Sequence, residues 1–160
     1  MENDIDLMAF STWRAEQPEV ERAAVVLSAN DHTSKSCSVW WAGPETEFLD
    51  RLRAEARARG ITLLVNSARY SKPELRHAVA LIFAGRDRLA KLGFGLEGVG
   101  GPMPDFFGLT VKGVVLDDEE AQQLPPGLVA SVRDTLVDLL HDAVVQPVDV
   151  RIEYGRTVMF

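Results

Sequence analysis

The sequence predicts an α+β protein of two ββαβ-like halves, with helices packed on small, largely antiparallel sheets and a long helix joining the halves. Short runs of strand-forming residues come in pairs, an amphipathic helical run follows each pair, and another strand-like run follows each helix. We therefore divide the chain into an N-terminal arm (1–20), a first half (21–70), a connecting helix (71–93) and a second half containing a Gly-rich loop (94–160). These segments are also compatible with one compact domain.

The arm carries large apolar residues, among them Phe10 and Trp13, and Pro18 ends its pattern. Two interpretations stay open. The arm packs on its own domain, or it is a docking peptide for a partner. In both cases its aromatic side chains are expected to be covered.

The first half opens with a predicted hairpin. The runs "AAVVLS" (23–28) and "SCSVWWAG" (36–43) are typical of strands. The stretch "NDHTSK" between them is rich in residues that form turns, because Asn and Asp tolerate left-handed backbone.

A helix and a third strand complete the first half. Phe48, Leu52 and Ala56 recur every four residues, which is the spacing of one buried helix face. Gly60 is a typical C-terminal stop. The run "ITLLVNSA" (61–68) then predicts a strand.

The connecting helix has a clear start. In "SKPE", Ser71 and Glu74 have the spacing of a capping box, and Pro73 is tolerated in a first helical turn. The apolar stripe that follows extends the helix to about Leu92.

The second half repeats the pattern of the first. The Gly-rich segment 93–108 is expected to be a loop containing a short strand around 94–99, and 109–116 is a predicted strand. The acidic run 117–120 favours a helix start, and the prolines after it interrupt that helix. The alternation in "VDVRIEY" (148–154) predicts a half-buried strand.

Composition limits the classes of function. The net charge of −7 disfavours nucleic acid and anionic membrane surfaces, so we expect neither as a partner. A single cysteine allows no internal disulfide. The acidic N-terminus does not resemble a secretory signal, and no apolar run is long enough to span a bilayer. We therefore expect a cytoplasmic protein.

No motif indicates catalysis, a cofactor or a metal. "GFGLEG" (93–98) matches the dinucleotide fingerprint in letters, but it follows a predicted helix instead of a strand. The spacing of His32, His77 and His141 is not that of a metal site. Cys37 lies among apolar strand residues and is expected to be buried. We predict a non-enzymatic protein without cofactor, metal or catalytic residues.

Partner contacts are predicted from large apolar side chains. Adjacent strand residues face opposite sides of a sheet, so one residue of the Trp pair is expected to meet the helices and the other to lie on the open face or under the arm. The apolar side chains at the C-terminus are expected either to pack against the protein itself or to enter a groove of a partner. The candidates for partner binding are Trp40, Trp41, Phe10, Trp13, Met159 and Phe160.

Two long stretches together resemble a known family. The run "SVWWAGPETEFLDRLRAEARARGITLLVNSARYSKPELRHAV" has an aromatic pair and Gly-Pro before a helix, then a Gly-led aliphatic strand, then "ARYSKPEL". These elements are residues 40–44, 60–63 and 68–75. They resemble the pro-region modules of secreted bacterial chymotrypsin-like serine proteases of the α-lytic protease type, and more closely free-standing actinobacterial proteins of that kind. The run "LGFGLEGVGGPMPDFFGLTVKGVVLDDEEAQQL" is similar to the second half of such modules.

The resemblance covers about residues 23–155 and implies a protein partner. In the family, the pro-region assists folding of its protease and inhibits it, with its C-terminal tail in the active-site cleft. Because we expect neither a protease domain nor a signal peptide here, the partner would be separately encoded. The predicted function is a bacterial, non-catalytic interaction module acting as an inhibitor, folding assistant or accessory subunit. Two alternatives stay open: a small-molecule sensor or enzyme with the Gly93–Gly108 loop as a lid, and a self-assembling, homo-oligomeric structural protein.

Overall fold

The protein divides into two compact units in a computed structural model that describes residues 2–155. Unit 1 is Met1–Lys72 and unit 2 is Pro73–Phe160. Each unit contains helices and one three-stranded sheet, so the predicted α+β class is confirmed.

Unit 1 has one sheet, with strands in the order β1-β2-β3. β2 pairs antiparallel with β1 and parallel with β3. The expected, largely antiparallel sheet is thus a mixed one, because a hairpin joins the first pair and a helical crossover joins the second. Its elements are α1 (Glu2–Ala15), α2 (Glu19–Arg22), β1 (Val25–Asp31), β2 (Ser36–Trp41), α3 (Glu47–Ala58) and β3 (Thr62–Ser67).

One face of this sheet forms the core of unit 1. Alternation along β2 turns Cys37, Val39 and Trp41 toward the helices, and all three are buried. The stripe predicted on α3 is confirmed. The helices α1 and α3 contribute the following buried side chains to the same core: Leu7, Phe10, Phe48, Leu49, Leu52 and Ala56.

The N-terminal arm is the helix α1, and it is docked on unit 1. Phe10 is fully buried in the core, whereas Ile5 on the outer face of the helix is 69% exposed. An ion pair of 2.6 Å between Asp6 and Lys35 holds α1 to the turn of the hairpin. Lys35 occupies left-handed backbone in that turn, with φ of +51°.

Unit 2 has the same strand arrangement. Its sheet has the order β4-β5-β6, with β4 antiparallel and β6 parallel to β5. The predicted strand within the Gly-rich segment is confirmed as β4. The helix α4 begins at the last residue of unit 1. The elements are α4 (Lys72–Ala84), α5 (Arg86–Lys91), β4 (Phe94–Gly100), β5 (Leu109–Val115), α6 (Pro126–Leu139) and β6 (Val150–Tyr154).

Two details of unit 2 differ from the prediction. The connecting helix is interrupted at Gly85. The Leu139 side chain packs against this glycine so closely that a Cβ at position 85 would lie 2.4 Å from a Leu139 methyl group. The expected helix at the acidic run 117–120 is wrong. The Asp118 carboxylate accepts a hydrogen bond from the Glu120 N–H at 3.1 Å, which forms a turn, and the helix starts only at Pro126.

Candidate functional site

The four edge strands of the two sheets differ in how they resist pairing with another chain. Natural edges are usually protected by bulges, charges or proline. β1 has a bulge at Val26 and β4 has one at Glu97, while β6 carries the charged side chains of Arg151 and Glu153. Among the edges in the described part of the chain, β3 is the one with no charge, no proline and no bulge.

The outward side of β3 presents unpaired backbone groups. The Thr62 N–H bonds to the Lys35 carbonyl at 3.1 Å, and the Ala68 N–H bonds to the Trp41 carbonyl at 2.8 Å. Backbone groups of a strand alternate between its two sides. The N–H and C=O groups of Leu63, Val65 and Ser67 therefore point away from β2, where no described strand pairs with them. This side can accept one further strand.

A groove with basic walls lies between α3 and β3. It has a volume of about 290 Å³ and is lined by Arg53, Ala56, Arg57, Ile61 and Leu63. The two arginines stand one helical turn apart on α3. An extended chain paired with β3 would pass beside both guanidinium groups.

The groove arginines are weakly engaged within the protein. Arg53 is 3.4 Å from a Glu45 carboxylate oxygen and 3.8 Å from one of Asp50, and all three side chains are exposed, so these pairs are worth little. Arg57 has no ion pair within residues 2–155. Both guanidinium groups are thus accessible to an external carboxylate.

The face of β3 that points away from the helices adds apolar surface. Leu64 is 49% exposed and is paired in register with Ser38. Trp40 is partly buried and is paired in register with Asn66 of β3 and Leu27 of β1. Trp40 is thus the tryptophan on the face away from the helices, as the alternation predicts.

The other aromatic candidates form a stack inside unit 1. Trp13 stacks on Phe10 at 6.1 Å and on Phe48 at 6.3 Å between ring centroids, and Trp41 lies 6.2 Å from Phe48. Trp41 is only 5% exposed and Phe10 is fully buried. The stack of Trp13 on Phe10 and Phe48 stabilises the docking of α1, and Phe10 is not accessible to a partner while that helix is docked.

The C-terminal candidates Met159 and Phe160 lie outside the described residues. The Gly93–Gly108 segment is described and is only partly a loop. Beyond β4, a bridge joins Met103 to Phe106, and the Arg151 guanidinium lies 4.4 Å from the centroid of the Phe106 ring. Its use as a lid stays a prediction.

Titratable groups do not gather into a reactive cluster in the described part of the chain. No group of three or more His, Cys, Asp or Glu residues there is arranged to hold a metal ion. His141 pairs with the adjacent Asp142 at 3.1 Å on the surface. Burial raises the pKa of the Cys37 thiol, and the charge of Arg14 opposes that shift, so the thiol is protonated at neutral pH.

Sequence reasoning predicted the strand 61–68, which is confirmed as β3, but it identified neither the edge position of this strand nor the groove beside it. The one available signal was the absence of charge from residues 61–68. That signal could not say whether the strand lies at an edge, because a strand in the middle of a sheet is also uncharged.

Within residues 2–155, no helix is both long enough and apolar enough to cross a membrane. Comparison with known proteins gives no match to a protein-family model, to a curated protein sequence or to a solved structure, so the family resemblance stays a prediction.

Proposed function

We propose that the protein is a non-catalytic interaction module that binds an extended segment of a separate protein partner along β3. The observation that supports this is the edge itself, which is uncharged and free of bulges, and whose outward N–H and C=O groups are unpaired along Leu63–Ser67. Main-chain hydrogen bonds supply affinity when a peptide extends a sheet, and pockets for alternate side chains supply specificity.

The groove defines the chemistry of the partner segment. In an added strand, the side chains on the helix side of the sheet would lie beside Arg53 and Arg57, so acidic groups are favoured there. The alternate side chains would lie on the other face, beside the exposed Leu64, so apolar groups are favoured there. The preferred segment is therefore extended, free of proline, and alternates apolar and acidic residues. The resemblance to pro-region modules adds that the partner is protease-like, with this chain as its inhibitor, folding assistant or accessory subunit.

A displayed library of random dodecapeptides tests the proposal without knowledge of the partner. The wild-type protein is expected to enrich acidic, alternating sequences. Val65→Pro removes an N–H that points outward and leaves the hydrogen bonds to β2 intact, so it is expected to abolish enrichment while the far-ultraviolet circular dichroism stays unchanged.

Val65→Thr is the matched control, because it keeps the N–H and the branched shape. Arg57→Glu is expected to shift the enriched sequences from acidic to basic. Equal enrichment by the wild type and Val65→Pro would show that β3 does not bind peptides, and the proposal would then be wrong.

Self-assembly is a second candidate, favoured by the same edge. Two copies of β3 can pair antiparallel around a two-fold axis, which would join two sheets into one. Sedimentation velocity would then show a dimer for the wild type and a monomer for Val65→Pro. A wild-type monomer at all concentrations would leave peptide binding as the use of this edge.

A further inference from the structure

A second cavity in unit 1 combines positive charge with apolar walls. It has a volume of about 270 Å³ and lies beside the first half of β1. Three cations line it, from Arg14 on α1, Arg22 on α2 and Lys72 at the end of the unit. None of the described residues that line it is acidic, although the whole chain has a net charge of −7.

Arg14 is held in this cavity by neutral groups alone. One terminal nitrogen donates to the Ser28 hydroxyl at 3.1 Å, and the other lies 4.0 Å from the Cys37 sulfur. The Nε atom is buried without a hydrogen-bond partner, and no carboxylate within residues 2–155 pairs with the guanidinium. A partly buried cation of this kind is stabilised strongly by an anion, because water screens the interaction only partly.

Arg22 brings a second guanidinium to the same space. Its Nε donates to the Gln17 carbonyl at 2.7 Å, which fixes the side chain and leaves the terminal nitrogens for another acceptor. The lining also includes the apolar side chains of Val26, Leu27 and Phe48. The cavity therefore combines positive charge with apolar surface.

We propose that this cavity binds a small organic anion, with its carboxylate or phosphate group on Arg14 and Arg22 and its apolar body against Val26, Leu27 and Phe48. The neighbouring hydroxyl of Ser28 orients Arg14 for this contact. The volume lies just below the range of about 300–1,000 Å³ that is typical of ligand pockets, so the anion is expected to be small.

Isothermal titration calorimetry of the full chain tests this with four probes. Hexanoate and phenyl phosphate are expected to bind, hexanamide is not, and inorganic phosphate is expected to bind more weakly than phenyl phosphate. The relative affinities of the first two probes distinguish a carboxylate from a phosphate ligand. Chemical-shift changes in ¹H–¹⁵N spectra are expected at Val26, Leu27 and Ser28.

Single substitutions test which cations bind the anionic group of the ligand. Arg14→Gln is expected to weaken hexanoate binding about ten- to hundredfold, which is the effect of losing a hydrogen bond to a charged group. Arg14→Lys is expected to restore part of the affinity. Arg22→Gln tests the second cation without touching the buried position, and Arg88→Gln, in unit 2, is the matched control for the loss of one positive charge.

Four results would overturn the proposal: no binding of either organic anion, equal binding of hexanamide and hexanoate, wild-type affinity in both Arg14→Gln and Arg22→Gln, or equal binding of inorganic and phenyl phosphate. The inference is independent of the β3 site. Val65→Pro is expected to keep hexanoate binding, and Arg14→Gln is expected to keep peptide enrichment, so failure of one proposal is distinguishable from failure of the other.

Discussion

Replacing Phe10 by alanine tests whether α1 is part of the core of unit 1. The side chain is fully buried, so its removal loses the whole hydrophobic transfer term and leaves a cavity between α1 and the sheet. Such Phe→Ala changes cost about 3–5 kcal/mol. Because the ring is also stacked on Trp13, a cost toward the upper end of that range is expected. At about 0.05–0.15 kcal/mol per residue, a unit of 72 residues has only about 4–11 kcal/mol of stability.

Urea unfolding followed by tryptophan fluorescence measures this loss, because Trp13 lies in the same stack. Ile5→Ala is the control on the same helix, and since Ile5 is 69% exposed, we expect a change within about 0.5 kcal/mol. If Phe10→Ala costs no more than Ile5→Ala, α1 does not contribute to the core. The arm would then be free in solution, which is the docking-peptide interpretation.

Two further substitutions test the buried thiol of Cys37 and the close packing of the backbone at Gly108. Burial raises the pKa of Cys37, so the thiol binds its proton more tightly in the native state than in the unfolded state. The free energy of unfolding therefore falls as pH rises above about 8.5, where the unfolded thiol begins to ionise. Urea titrations at neutral and alkaline pH should therefore show a steeper loss in the wild type than in Cys37→Ala, and equal slopes would contradict the assignment. A Cβ at Gly108 would lie 2.0 Å from the Asp149 carbonyl oxygen, so Gly108→Ala should destabilise by about 1–3 kcal/mol or more. Gly127→Ala, in the helix α6 with nothing within 4 Å, should instead be neutral or slightly stabilising in thermal melts, and similar effects of the two changes would refute the steric argument.

Local patterns predicted the elements that depend on local chemistry. The four-residue spacing of Phe48, Leu52 and Ala56 identified the buried face of α3. The alternation in 148–154 identified β6, but this strand begins only at Val150, because Pro147–Asp149 form a short 3-10 helix in which Val148 is 75% exposed. The helix expected at 117–120 failed because acidic residues suit both a first helical turn and an Asp turn. In the structure, the Asp118 carboxylate accepts a hydrogen bond from the Glu120 N–H, which stabilises a turn instead of a helix.

Strand pairing and the candidate sites depend on long-range packing, which the patterns do not contain. The sequence did not show that β2 is central and β3 is at the edge, because that follows from the helical crossover between them. The role of Arg14 depends on the docking of α1 over β1 and β2, which places the guanidinium beside Ser28 and Cys37. On the sequence alone, Arg14 is one of several charged residues in the N-terminal arm, for which no helix was predicted.

The two sheets close loops of different length, which bears on the order of folding. Ser36 pairs with Thr62 in the first sheet, whereas Leu109 pairs with Val150 in the second across a longer stretch of chain. Closing the shorter loop costs less entropy, and a ribosome completes the first sheet before the second is made. The edge at β3 is therefore already formed while synthesis continues, so pairing with another strand can begin on the nascent chain.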